Sequence, residues 1–392
     1  VEKILGIKPL GLTPSLTEIV IPSTLKVIYG FAGSTNLTTI SLLGEAPALT
    51  TISNDAFKNC SKLTDISALM GEGLTQIYDG AFSGTGITSV TLPSTLQTIG
   101  FAGDTSSFAT GVFSNCNNLV NVTILSDSKL TLVGKKSFMN TGITSISLPS
   151  NIQTIGASAF ENCSGLVNVT GLNGENLTSI EQSAFASSGI REAILGNGLT
   201  ELYWRTFYNC PNLETITLGA NLETITGATE NYLFYGCNKL TTINSPYNDT
   251  IKYFAKGNNL FVRTASSQTL IYVANGSTGL FDADGKAYAD IDYIDEYAFT
   301  NYAGNTTEWE LPISVKTIGA SAFRNSKVTK LIFGGVTKIG NYAFDSSSIH
   351  TIVSSKNSTE TGINFNENLT ILGVGAFMNC NSLTTVTLPS SI

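Results

Sequence analysis

The chain has 392 residues, of which 42% are hydrophobic and only 13% charged, with a formal net charge of −8. So acidic and sparsely charged a surface lacks the basic patch that a phosphate backbone requires, which excludes nucleic acid as an expected partner. No apolar run approaches the ~18 residues needed to span a bilayer, so membrane insertion is not expected.

The N-terminal stretch VEKILGIKPL has neither a basic n-region nor an apolar h-region. It also lacks an initiator methionine, and the C-terminal Leu388-Pro389-Ser390-Ser391-Ile392 stops halfway through a repeat. A processed or truncated chain is therefore expected, with core and sheet edge open to weak end-to-end self-association.

From Phe57 onward one position recurs: Phe57, Phe82, Phe113, Phe138, Phe160, Phe185, Phe207, Phe234, Phe299, Phe323, Phe344 and Phe377. Successive gaps are 25, 31, 25, 22, 25, 22, 27, 65, 24, 21 and 33 residues, a spacing that marks a solenoid. Phe31 is a candidate thirteenth member, because Leu37 follows it as Leu63 follows Phe57.

After each phenylalanine comes a short segment such as Ile87-Thr88-Ser89-Val90-Thr91-Leu92-Pro93 or Ile143-Thr144-Ser145-Ile146-Ser147-Leu148-Pro149. Alternation of apolar with Ser or Thr predicts a half-buried strand, which proline then ends because it cannot donate to a ladder. A second apolar pair, as in Ile152-Gln153-Thr154-Ile155-Gly156-Ala157-Ser158-Ala159-Phe160, leads through a glycine turn to the next phenylalanine. One unit cannot bury its own apolar face; stacked units share a core with the phenylalanines as its spine. With neighbouring strands ~4.8 Å apart, some fourteen turns make a rod roughly 65–70 Å long with a parallel sheet along one side.

The recurring residues I-G-x-x-A-F-x-N-C-x-x-L-x-x-V-x-L-P-x-x-L-x-x-I resemble the BspA-type leucine-rich repeat of bacterial surface proteins, from about Leu16 to Ile392. The resemblance implies a β-rich solenoid: a right-handed leucine-rich-repeat superhelix with a parallel sheet on one face and turns or short helical segments on the other. It implies one solenoid over residues 1–392. The interval 244–296 is irregular, and within it Leu260–Arg263 and Thr269–Val273 flank the polar turn Thr264–Gln268 and predict a β-hairpin. Such hairpins also interrupt arrays of this family. The alternative is two solenoid segments separated by a small insert.

Each of the six cysteines, Cys60, Cys116, Cys163, Cys210, Cys237 and Cys380, lies three residues after a spine phenylalanine. Elsewhere the slot holds Thr85, Thr141, Ser188, Tyr302, Ser326 or Ser347. Only Cys210 and Cys237 occupy adjacent repeats; other pairs are at least two turns, roughly 10 Å, apart, beyond the reach of a disulfide. Buried structural thiols are expected, with neither metal nor cofactor. The preceding Asn59, Asn115, Asn162, Asn209 and Asn379 are expected to bond backbone groups at the turn.

No catalytic residue is expected. The single histidine, His350, is predicted to be exposed and lacks a nucleophile elbow, and Asp282-Ala283-Asp284-Gly285-Lys286 has lysine where a calcium loop needs a ligand. The outward strand positions, among them Thr39, Ser41, Ser89, Thr91, Asn121, Thr123, Ser145, Ser147, Asn168, Thr170, Thr215, Thr217, Thr385 and Thr387, form a hydroxyl and amide surface. One repeat departs from this: Tyr203, Trp204 and Tyr208 flank Arg205 where other repeats have small residues. Packing against the neighbouring repeat is the commoner explanation of such a patch, and an exposed ligand contact is the alternative. Trp309 falls at an inward strand position and is expected in the core. The resemblance implies a non-catalytic bacterial cell-surface or secreted recognition and adhesion protein whose partner is a host protein or glycan. A structural spacer presenting another domain is the alternative, and an enzyme built around 244–296 the remotest reading.

Overall fold

A computed structural model describes residues 14–44, 48–101, 109–226, 230–246, 248, 250–265, 267–365 and 367–392. The N-terminal stretch VEKILGIKPL and Ser266 of the hairpin turn lie outside them. The chain divides into two compact units, Val1–Cys210 and Pro211–Ile392. Each is a parallel β-solenoid, and the described helical elements are the single 3-10 turns Ser67–Leu69 and Glu230–Leu233.

In the first unit the alternating segments form the predicted strands. Ser89–Leu92, Asn121–Ile124, Ser145–Ser147 and Asn168–Thr170 pair in parallel, Val90 opposite Val122 and Ile146 opposite Val169. Inward Val90, Val122 and Ile146 are buried. The second apolar pair adds an unanticipated ladder. Two-residue strands such as Gln76–Ile77, Thr98–Ile99, Leu132–Val133, Thr154–Ile155 and Ser179–Ile180 pair in parallel coil after coil, placing Ile77, Ile99, Val133, Ile155 and Ile180 in one buried column.

The turn before and after each phenylalanine is a third column, built from backbone of alternating hand. In the coil around Phe160, the N–H groups of Ser158, Phe160 and Asn162 donate to the carbonyls of Gln182, Ala184 and Ala186 in the next coil, at 2.8, 2.7 and 2.8 Å. The intervening N–H groups of Ala159, Glu161 and Cys163 close turns on Gly156, Ser158 and Phe160 of their own coil. Such one-way donation needs left-handed residues on either side of the phenylalanine. Ser158 has φ +56° and Asn162 φ +60°.

This geometry accounts for the asparagine of the repeat. The position two after the phenylalanine is left-handed at Asn59, Asn115, Asn140, Asn162 and Asn209, with φ between +54° and +61°. Asparagine tolerates that region better than other side chains do, and glycine or serine takes the place at Gly84 and Ser187. The amides do not bond their own turn as expected. Asn162 Nδ2 donates to Asn140 Oδ1 at 2.9 Å and Asn140 Nδ2 to Asn115 Oδ1 at 2.7 Å, making a side-chain ladder along the coils.

Inside these columns run the rings. Phe31, Phe57, Phe82, Phe113, Phe138, Phe160, Phe185 and Phe207 stack with centroids 5.2–5.7 Å apart and planes within 12°. Phe31 thus joins the spine. Burial of each ring contributes roughly 1.5–3 kcal/mol, with parallel stacking adding to it.

In the second unit the spine runs Phe299, Phe323, Phe344 and Phe377, with centroids 4.2, 5.1 and 5.0 Å apart. Trp309 is core as expected, edge-on to Phe299 at 4.7 Å, with its indole N–H on the carbonyl of Thr306. The predicted hairpin is present as Asn259–Arg263 antiparallel to Gln268–Val273, with a bulge at Leu260/Phe261, and Tyr253–Lys256 adds a third antiparallel strand. The insert is wired into the array: Gln268–Val273 pairs in parallel with Tyr293–Ile294. Val273 N–H donates to Ala298 as a spine phenylalanine would, while the ring of Tyr272 lies 5.3 Å from Phe234. Within the long interval before Phe377, Ile363–Asn364 forms an extra strand beside Thr351–Val353.

Candidate recognition surfaces

The cysteine column is internal. All six thiols are buried, and none is in a disulfide. Cys60, Cys116, Cys163, Cys210 and Cys380 donate to the carbonyls of Phe31, Phe82, Phe138, Phe185 and Phe344 at 2.9–3.1 Å, always one coil back. In these five coils the slot therefore holds a small donor as well as a small volume. Burial pushes the Cys60 and Cys163 thiols up to about 11, so they are poor nucleophiles at neutral pH.

Other chemistry-bearing residues are placed apart. His350 is exposed, its Nδ1 2.9 Å from Thr351 Oγ1. The Asp282 carboxylate accepts the N–H groups of Asp284 and Lys286 and so closes its own turn. Among the described residues no three His, Cys, Asp or Glu side chains converge as metal ligands, and no helix is long and apolar enough to cross a membrane.

Two outward surfaces remain. On the strand face of the first unit Ser89, Thr91, Asn121, Thr123, Ser145, Ser147, Asn168 and Thr170 turn outward as expected, with Ser147 and Thr170 bonded at 3.0 Å. Glu192 and Ile194 occupy the same outward positions one coil further on, and the exposed isoleucine, like Val20 in Glu18–Pro22, interrupts the polar row. In the second unit the equivalent face carries charge, with Lys330 on Glu308 at 3.6 Å and Lys356 on Glu310 at 3.2 Å.

The aromatic patch lies at the turn edge of the first unit. Tyr203, Trp204 and Tyr208 are half-buried. Arg205 is the reason: its left-handed backbone, φ +58°, sets the guanidinium 4.4 Å over Trp204 and 5.2 Å over Tyr208. Both rings thus spend one face on a cation, and what faces solvent is a planar aromatic and guanidinium stack. The hydroxyl of Tyr203 is held above the usual tyrosine range by burial and by the charges of Glu201 and Glu181.

The coil geometry, with its phenylalanine spine, left-handed asparagine and inward leucines, agrees with a family comparison. The model of the BspA-type leucine-rich repeat region, in six copies, matches residues 12–108, 95–203, 173–275 and 355–392. The chain belongs to the BspA-type leucine-rich repeat family. Among solved structures, this family member is similar to a leucine-rich repeat protein from Bacteroides ovatus, at 22% identity over 97% of this chain and 80% of that one, with a TM-score of 0.60. It also matches a leucine-rich cell surface protein from Faecalibacterium prausnitzii, at 20% identity over 96% and 68% of the two chains, with a TM-score of 0.29. The pneumococcal vaccine antigen PcpA matches at 17% identity over 76% and 79%, with a TM-score of 0.42. No curated protein matches the chain.

Proposed function

We propose that this BspA-type repeat protein is a non-catalytic recognition protein of a bacterial surface, secreted or cell-attached, which holds a host protein or glycan against its repeat surface. The observation that carries this reading is the strand face of the first unit: uncharged hydroxyl and amide groups presented outward at coil spacing on a hydrogen-bonded ladder. A surface fixed in this way loses little conformational entropy on binding. The stack of Trp204, Arg205 and Tyr208, with Tyr203 beside it, is the proposed anchor, since aromatic and arginine side chains supply most of the energy at interfaces.

Screening of immobilised host matrix proteins and glycans, followed by Trp204→Ala on any binder, tests the reading. Saturable binding that weakens at least about tenfold in the variant is expected, the loss typical of a central anchor. Turnover of any substrate overturns the non-catalytic part. A spacer role, to which the ring stack within each unit is equally suited, is favoured by complete absence of binding.

A further inference from the structure

Within the second unit the charged strand face starts on an open edge. Glu308–Glu310 is the outermost member of its sheet: it pairs in parallel with Lys330–Ile332, and among the described residues no strand pairs with its other side. At the two ends of that pairing Thr307 accepts the N–H of Lys330 and Leu311 donates to Ile332, so alternation along the strand turns the N–H and C=O groups of Glu308 and Glu310 the opposite way. Lys330 and Thr351, which hold the place of Glu308 in the next two coils, each donate to the coil before at 3.2 Å. Glu308 and Glu310 make no such bond among the described residues.

The chain before this strand explains the opening. It passes through Gly279 at φ +145°, a conformation that only glycine adopts freely, and then folds back on itself. Tyr288 N–H donates to Leu280, Asp282 N–H donates to Lys286, and Phe281 bridges Ala287. The segment thus makes its ladder bonds within a small hairpin and not to Glu308–Glu310. A cleft of about 550 Å³, a volume within the range of ligand sites, lies between residues 278–283 and the open edge. Its walls are tied at one end, where Thr306 Oγ1 donates to the Ser277 carbonyl at 3.2 Å; past Thr278 no hydrogen bond joins them among the described residues. Buried Leu280 and half-buried Phe281 give the cleft an apolar lining, and its charged groups are the carboxylates of Asp282, Glu308 and Glu310 against the one ammonium of Lys356.

Unpaired edge groups at strand spacing are a template for a further strand, and acidic side chains beside them select a basic one. We propose that Glu308–Glu310 is a strand-addition site for an extended basic segment of a protein partner. Three or four residues of that segment, about 10–13 Å of strand, bond to the outward N–H and C=O groups of Glu308 and Glu310. Their side chains alternate: lysine or arginine stands beside the two glutamates, and small apolar residues turn to Leu280 and Phe281. The proposal rests on the recognition reading but assigns the contact to the second unit, whereas the aromatic stack belongs to the first.

The test titrates the full chain with a short acetylated peptide of alternating lysine and valine and follows amide hydrogen exchange residue by residue. Saturable protection of the Glu308 and Glu310 N–H groups is expected. Glu310→Ala, which removes one carboxylate, should weaken binding several-fold at low salt and less at high salt. Glu310→Pro also removes the edge N–H but keeps the pairing with Lys330–Ile332, since proline is tolerated on an edge strand, and should weaken binding at least about fivefold further. A peptide with glutamate in place of lysine should protect neither amide. Titration that leaves both amides exchanging as before, or equal affinities in the alanine and proline variants, overturns the site. In that event a partner still captured in the wider screen and weakened by Trp204→Ala leaves the recognition reading standing.

Discussion

Cys163 Sγ donates to the carbonyl oxygen of Phe138, 2.9 Å away and one coil back. Thr141 Oγ1 donates to the same oxygen at 2.8 Å and lies 3.3 Å from the sulfur. The thiol thus serves as a structural donor between coils, tying the slot after one ring to the backbone of the ring before it.

Such thiols should be silent in the native protein. A thiol reagent at about pH 8 is expected to modify none of the six cysteines until denaturant is added, because only the thiolate reacts. Stability should fall at alkaline pH. Burial raises Cys60 and Cys163 from 9.0 to about 11, so the unfolded chain loses these protons first. Their contribution is fully present below pH 9 and disappears as pH climbs through 11. Denaturation midpoints measured on both sides of this window check the sign, and Cys163→Ser should shallow the drop.

Ser326 occupies the same slot but its buried Oγ has no hydrogen-bond partner. The C–O bond is shorter than C–S, and the next coil offers Ser347 rather than a cysteine. Ser326→Cys should therefore stabilise the protein by about 1 kcal/mol, by supplying the missing bond to the preceding phenylalanine carbonyl. A lower melting temperature would contradict this.

Asn162 tests the left-handed turn. Asn162→Ala should cost roughly 1–2 kcal/mol, since alanine resists φ +60° and loses the amide bond to Asn140. Asn162→Gly keeps the backbone and should cost less. Equal losses in the two variants, measured by thermal melting, would show that the amide ladder and not the backbone conformation governs the position.

The spine and one strand per coil are legible in the sequence, because a ring such as Phe160 recurs at fixed spacing from an alternating segment such as Ser145–Ser147. The second ladder is not, since pairs such as Thr154–Ile155 are too short to show a period of two. Asn162 was legible as a turn residue, but its bond to Asn140 depends on a neighbour 22 residues away. The aromatic stack was visible as a break in composition, whereas its half-buried state depends on where the backbone of Arg205 aims the guanidinium.

Coil-by-coil registration underlies every surface described, and amide hydrogen exchange measures it most directly. The N–H groups of Ser158, Phe160 and Asn162, each bonded to the next coil, should exchange only on cooperative opening, far more slowly than unstructured chain. Exchange of these three amides at the rate of free peptide would contradict the account.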